Sequence, residues 1–79
     1  MEQTLGARLR SQRERRHIPL QTIAADTKID PSFLEALERD DLSHWPTGIF
    51  RRAYVTAYAA AIGLEPDAVL REVLTLQGT

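Results

Sequence analysis

The chain has 79 residues, no cysteine and a formal net charge of −1. That length allows one domain with one modest core, burying roughly 60–65% of its unfolded surface, and no deep catalytic interior. Disulfides and thiolate metal sites are excluded, and the longest apolar run, AAAIGL, is far shorter than the ~20 residues of a membrane span.

No stretch alternates apolar and polar residues as a half-buried strand would, so every element reads as helical. Residues 4–16 form the first, with Leu5 and Leu9 four apart and Arg8, Arg10, Arg13, Arg15 and Arg16 around the rest. The chain breaks at HIP, because Pro19 cannot sit inside a helix but can begin one. Leu20 to Thr27 gives a short second helix with Leu20, Ile23 and Ala24 on one side. The third has the clearest start: Asp30 as N-cap, Pro31 at the first helical position, and Ile29 with Leu34 as a hydrophobic staple. Phe33, Leu34 and Leu37 make its apolar stripe.

The segment DDLSHWPTG reads as a loop, with Leu42 and Trp45 pointing inward and Trp45 as a lid on the core. Thr47 is expected to cap a fourth helix running to about Ile62, ended by Gly63 in a left-handed conformation. Pro66 opens a fifth, with Asp67 in its first turn and Val69, Val73 and Leu76 along one side, Leu70 and Leu74 close by. The expectation is an all-α, compact five-helix domain. Its core draws on Leu5, Leu9, Ile23, Phe33, Leu37, Val55, Ile62, Val69 and Val73. Only KID separates the second and third helices, the outline of a helix-turn-helix. Charge is segregated: residues 1–16 carry +3, residues 17–48 carry −4, and residues 49–79 balance.

The stretch LGARLRSQRERRHIPLQTIAADTKI resembles the opening of a phage-repressor-type helix-turn-helix domain. GARLR, the A-x-x-T-K-I run from Ala24 to Ile29, FLEALERDD, and above all F-x-R-x-Y-V-x-x-Y-A at residues 50–59 followed by IGLEPD resemble the RodZ-type subclass. The resemblance covers residues 5–74. It implies a cytoplasmic domain of a bacterial cell-shape protein, joined by a linker to one membrane span downstream and docking on the actin-like filament protein MreB. On that resemblance the contact residues are the fourth-helix aromatics Phe50 and Tyr54. Two positions depart from the family pattern: His17 stands where glycine is usual, and Pro19 where a Ser or Thr cap is usual. The chain reads as a single domain over residues 1–79, the N-terminal module of a longer protein.

The outline of the fold also raises DNA binding. The third helix, however, offers mainly Asp30, Glu35, Glu38, Asp40 and Asp41, which a polyanion repels. Ser32 and Arg39 could reach bases, and Arg8, Arg13 and Arg16 could hold phosphates. This is the alternative, an XRE-type regulator. The favoured surface is the fourth helix. Phe50, Tyr54 and Tyr58 recur every fourth residue and drift by only about 40° per step. A helix apolar nearly all round is either central or meets a partner. Tyr58, near Ile62, leans toward the core; Phe50 and Tyr54 lean toward a partner. Arg51 fits the rim of such a patch, while Arg52 could pair with acidic groups of the third helix.

Enzymatic readings are poor. His17 and His44 lack the company of a metal set. Asp41, Ser43 and His44 lack a nucleophile turn, and Asp40 with Asp41 reads as a solvated helix exit. No cofactor is expected.

Overall fold

The computed structural model describes residues 3–76, in which five helices and no strand are found. They are α1 (Leu5–Arg15), α2 (Leu20–Thr27), α3 (Pro31–Glu38), α4 (Ile49–Ala61) and α5 (Pro66–Leu76). The all-α expectation holds, and each boundary falls within two residues of its local signal. Thr4 caps α1, its Oγ1 accepting the Ala7 N–H at 3.2 Å. Asp30 caps α3, accepting the Ser32 N–H at 2.8 Å, with Ile29 and Leu34 both buried as a staple requires. Pro19 sits at the N-cap of α2, and no side-chain hydrogen bond caps that helix. Thr47 is not the cap of α4; that position belongs to Gly48, whose φ of 63° suits glycine.

Three helices end in the same way. In each, the residue after the C-cap is left-handed and two backbone N–H groups fold back onto the last turn, the Schellman arrangement. At α4 these are Gly63 N–H to Ala60 O and Leu64 N–H to Ala59 O. At α1 they are His17 to Glu14 and Ile18 to Arg13, and at α3 Asp40 to Leu37 and Asp41 to Ala36. Only the first has glycine at the left-handed position; His17 has φ 58° and Asp40 φ 60°. A left-handed non-glycine residue costs roughly 1–2 kcal/mol. Asp40 recovers some of this, since its carboxylate accepts the Gly6 N–H at 2.7 Å. The His17 side chain makes no hydrogen bond among the described residues. We therefore expect His17→Gly to raise stability by about 0.5–1 kcal/mol, part of the relief being offset by glycine's greater unfolded-state entropy. Asp40→Gly should lower it. Paired urea melts of the two variants check this contrast.

α4 packs on α5 and α2, while α3 packs on α1 and α2. Between them lies one core containing Leu9, Ile23, Leu34, Leu37, Val55, Ile62 and Val73, all essentially inaccessible. Of the residues expected there, Leu5 and Phe33 are only half-buried and pack against its edge. The side chain of Leu76, expected on the same line as Val69 and Val73, lies outside the described residues. Trp45 is buried as the expected lid, its Nε1–H donating to Phe33 O at 2.9 Å. Among the described residues no helix is long and apolar enough to cross a membrane.

Candidate functional site

The three rings of α4 do not share one environment. Phe50 is 63% exposed, Tyr54 is half-buried, and Tyr58 is 0% exposed. A four-residue repeat overshoots the 3.6-residue turn by about 40° at each step. Over two steps that rotation carries the line of rings from solvent into the core. Tyr58 therefore leaves the candidate surface: its ring is enclosed and its hydroxyl donates to Glu38 Oε2.

Tyr54 sits at the edge of an aromatic cluster. Its ring centre lies 5.8 Å from Trp45 and 6.1 Å from Phe33, and those two rings meet edge-on at 6.1 Å. Its hydroxyl makes no hydrogen bond among the described residues. One edge of the ring is packing, the other is available. Arg51 is not a rim residue. Its Nε donates to Pro46 O at 2.9 Å and its Nη2 to Leu42 O at 3.1 Å, so it binds the loop onto the start of α4. This tether fixes how the first turn of α4 is presented. Arg52 is exposed and forms no ion pair with α3; the arginine that pairs with α3 is Arg13.

The first turn also carries a residue that the sequence did not single out. Ile49 is 75% exposed, more than Phe50, and these two are the exposed large hydrophobic side chains among the described residues. The signal was present in the adjacency of Ile49 and Phe50.

Most residues of the DNA reading have partners within the chain. Arg13 is withdrawn entirely. Its Nε and Nη2 hold both oxygens of Glu38 at 2.7 and 3.0 Å, and its Nη1 donates to Ile18 O at 3.0 Å. With side chains 13% and 7% exposed, this pair is largely enclosed at the edge of the core. The Glu38 carboxylate, through that hydrogen bond, raises the Arg13 pKa further, so its charge is permanent. Arg8 pairs with Glu72 across α1 and α5, and Arg10 pairs with Glu14 at 3.1 Å. The Arg16 guanidinium lies over Gly63, where a Cβ would come within 2.5 Å of it. Ser32 is turned onto its own cap, its hydroxyl donating to Asp30 Oδ1 at 2.8 Å. Those two hydrogen bonds from Ser32, the backbone one foremost, hold the Asp30 carboxyl below its usual range and keep a negative charge at the start of α3. Arg39 remains exposed at the end of α3.

Around the loop, Asp41 accepts the Ser43 hydroxyl at 2.6 Å and the Ser43 N–H at 3.1 Å. The Ser43 hydroxyl bond, and then the backbone one, lowers the Asp41 pKa. Both bonds belong to a tight turn leaving α3, and His44 is exposed beside it. No group of three or more His, Cys, Asp or Glu that could hold a metal occurs among the described residues.

Residues 8–69 match the model of a family described as a helix-turn-helix domain. Over 69 residues the chain is 32% identical to the cytoskeleton protein RodZ of Streptococcus pneumoniae, an alignment that takes in 87% of this chain. It spans 25% of the length of that relative. No solved structure gives a significant match.

Proposed function

The chain belongs to the helix-turn-helix domain family, and from that premise we propose that it is a non-catalytic adaptor of RodZ type, docking through α4 on an actin-like MreB filament in bacterial cell-shape control. The observation that carries this reading is the solvent-exposed Phe50 at the head of α4, 63% accessible beside the half-buried Tyr54. A large ring held out from a rigid helix is what an interface anchor requires. The relative's name places it in the cytoskeleton, and the resemblance of residues 50–59 to the RodZ pattern points to the filament protein itself. On this reading the domain is cytoplasmic, and membrane attachment comes only from a downstream segment.

DNA binding by an XRE-type regulator is the competing outcome. It is disfavoured by the acidic start of α3 and by the intramolecular pairing of Arg8 and Arg13. Both outcomes are read in one experiment: co-sedimentation with polymerised MreB, and binding to mixed DNA duplexes, across a salt series. We expect filament binding that Phe50→Ala weakens at least ~10-fold, an anchor's loss of about 1.4 kcal/mol or more. The thermal melt should not move, because the ring is outside the core. Tyr54→Ala should weaken binding too, at a cost of about 1–2 kcal/mol in stability from its two ring contacts. Tight duplex binding that falls steeply with salt, without filament binding, would overturn the proposal.

A further inference from the structure

The seam between α1 and α5 is not closed by helix packing. α1 packs chiefly on α3 and α5 on α4, and where α1 and α5 face each other a cleft of about 260 Å³ is left. Its apolar walls come from both sides. Leu5 and Leu9 of α1 stand across from Leu64, in the turn after α4, and Val69 of α5. Leu9 and Val69 are buried, while Leu5 and Leu64 are half-buried and complete the walls toward solvent. The Gln12 side chain, donating to Ile62 O at 3.4 Å, ties α1 to the end of α4 beside the cleft.

The charge of the cleft is unbalanced. Leu5, Arg8, Gln12 and Arg15 fall within about 80° around the axis of α1, so one stripe of that helix supplies both an aliphatic wall and two cations. Arg8 pairs with Glu72 across the mouth, and both of these side chains are about half exposed. An ion pair so exposed contributes little and opens at small cost. Arg15 lies about 10 Å further along the helix, and it forms no ion pair or side-chain hydrogen bond among the described residues. The three charged groups lining the cleft, Arg8, Arg15 and Glu72, leave it with one positive charge in excess.

The volume and the lining together select a ligand. The space holds roughly nine groups the size of a water molecule and falls just below the range of about 300–1,000 Å³ typical of drug-sized ligands. A free phosphate would leave four aliphatic side chains unused, and a long acyl chain would not fit. We propose that the α1–α5 cleft binds a small amphiphilic monoanion, an aliphatic or aryl carboxylate of about ten non-hydrogen atoms, with its apolar body between Leu5 and Leu64 and its carboxylate on Arg15. The site shares no residue with the exposed head of α4 and is independent of the filament-docking reading.

The test is a titration of octanoate into the isotope-labelled 79-residue domain, followed through amide NMR shifts, with octanol and octylammonium as neutral and cationic controls. Octanoate is expected to bind saturably, with the largest shifts around Leu5, Leu64 and Val69, and at least ~5-fold more tightly than either control. Arg15→Gln should weaken octanoate by about five- to tenfold and leave octanol unchanged. Glu72→Gln should tighten octanoate by about threefold or more, because it frees Arg8 and removes a repelling carboxylate. Arg15 and Glu72 are exposed, so neither change should move the thermal melt appreciably. Equal affinity for the three probes, shifts centred on Ile49 and Phe50, or no shift at about 10 mM octanoate would each overturn the proposal. Octanoate binding that Glu72→Gln tightens but Arg15→Gln leaves unchanged would overturn the placement of the carboxylate on Arg15.

Discussion

Replacing Gly6 with alanine is expected to destabilise the domain by about 2–3 kcal/mol and to lower its melting temperature by roughly 10–20 °C. Helix propensity alone argues the reverse, since alanine in place of glycine inside a helix gains about 1 kcal/mol. The packing of α1 on α3 decides the sign. A Cβ at Gly6 would stand 2.5 Å from Glu38 O and 2.7 Å from Leu37 O. These are backbone atoms at the end of α3, and they cannot rotate aside as a side chain can. The two helices would have to separate, and the 2.7 Å hydrogen bond from Gly6 N–H to the Asp40 carboxylate would go with them. A thermal melt of Gly6→Ala decides the matter; an increase in stability would mean that α1 and α3 do not meet at this point.

Cutting the largely enclosed Arg13–Glu38 pair is expected to be at least as costly. Arg13→Met should lose about 3 kcal/mol, the lower end of the range for a buried pair, because it leaves the largely enclosed Glu38 carboxylate without its cation. Tyr58 would remain as a donor to that carboxylate, but a phenol cannot neutralise it. The double variant Arg13→Met with Glu38→Met should recover much of the loss, since two apolar side chains carry no stranded charge. A double-mutant cycle by urea unfolding measures the coupling, and simple additivity would show that the two groups act separately. The hydroxyl of Tyr58 supplies an independent readout. Burial first, and the Glu38 carboxylate second, raise its pKa well beyond the ordinary phenol range. Unfolded tyrosine ionises near pH ~10. A folded pKa above the unfolded one means that the contribution is complete below pH ~10 and is lost as pH rises further, where only the unfolded chain releases the proton. Wild-type protein should therefore lose more stability between about pH 9 and 11 than Tyr58→Phe does.

The elements of the fold were legible because their signals are local. Asp30 with Pro31 at the start of the third helix, Gly63 after the fourth and Pro66 as the first residue of the fifth each act within about four residues of the helix end they mark. The misplaced cap at Thr47 fits the same account. A threonine there is a reasonable local acceptor, but the chain enters α4 through a left-handed Gly48, with Arg51 holding the loop from behind. His17 is a further case. Its left-handed φ of 58° is a backbone conformation that favours glycine, which the identity of the side chain alone does not announce.

What the sequence alone determined about this protein is the all-α class, the five helices with most of their ends, and the helix-turn-helix outline. All of these follow from spacing and capping over a few residues. The tertiary structure decided which apolar and charged groups face water. Arg13 and Glu38 are 25 residues apart, and Gly6 and Asp40 are 34 apart. No local rule reports such contacts. α4 is apolar on most of its sides, so its own periodicity could not say which face is covered. The packing of α2 and α5 against it settled that, enclosing Tyr58 and leaving Ile49 and Phe50 in solvent.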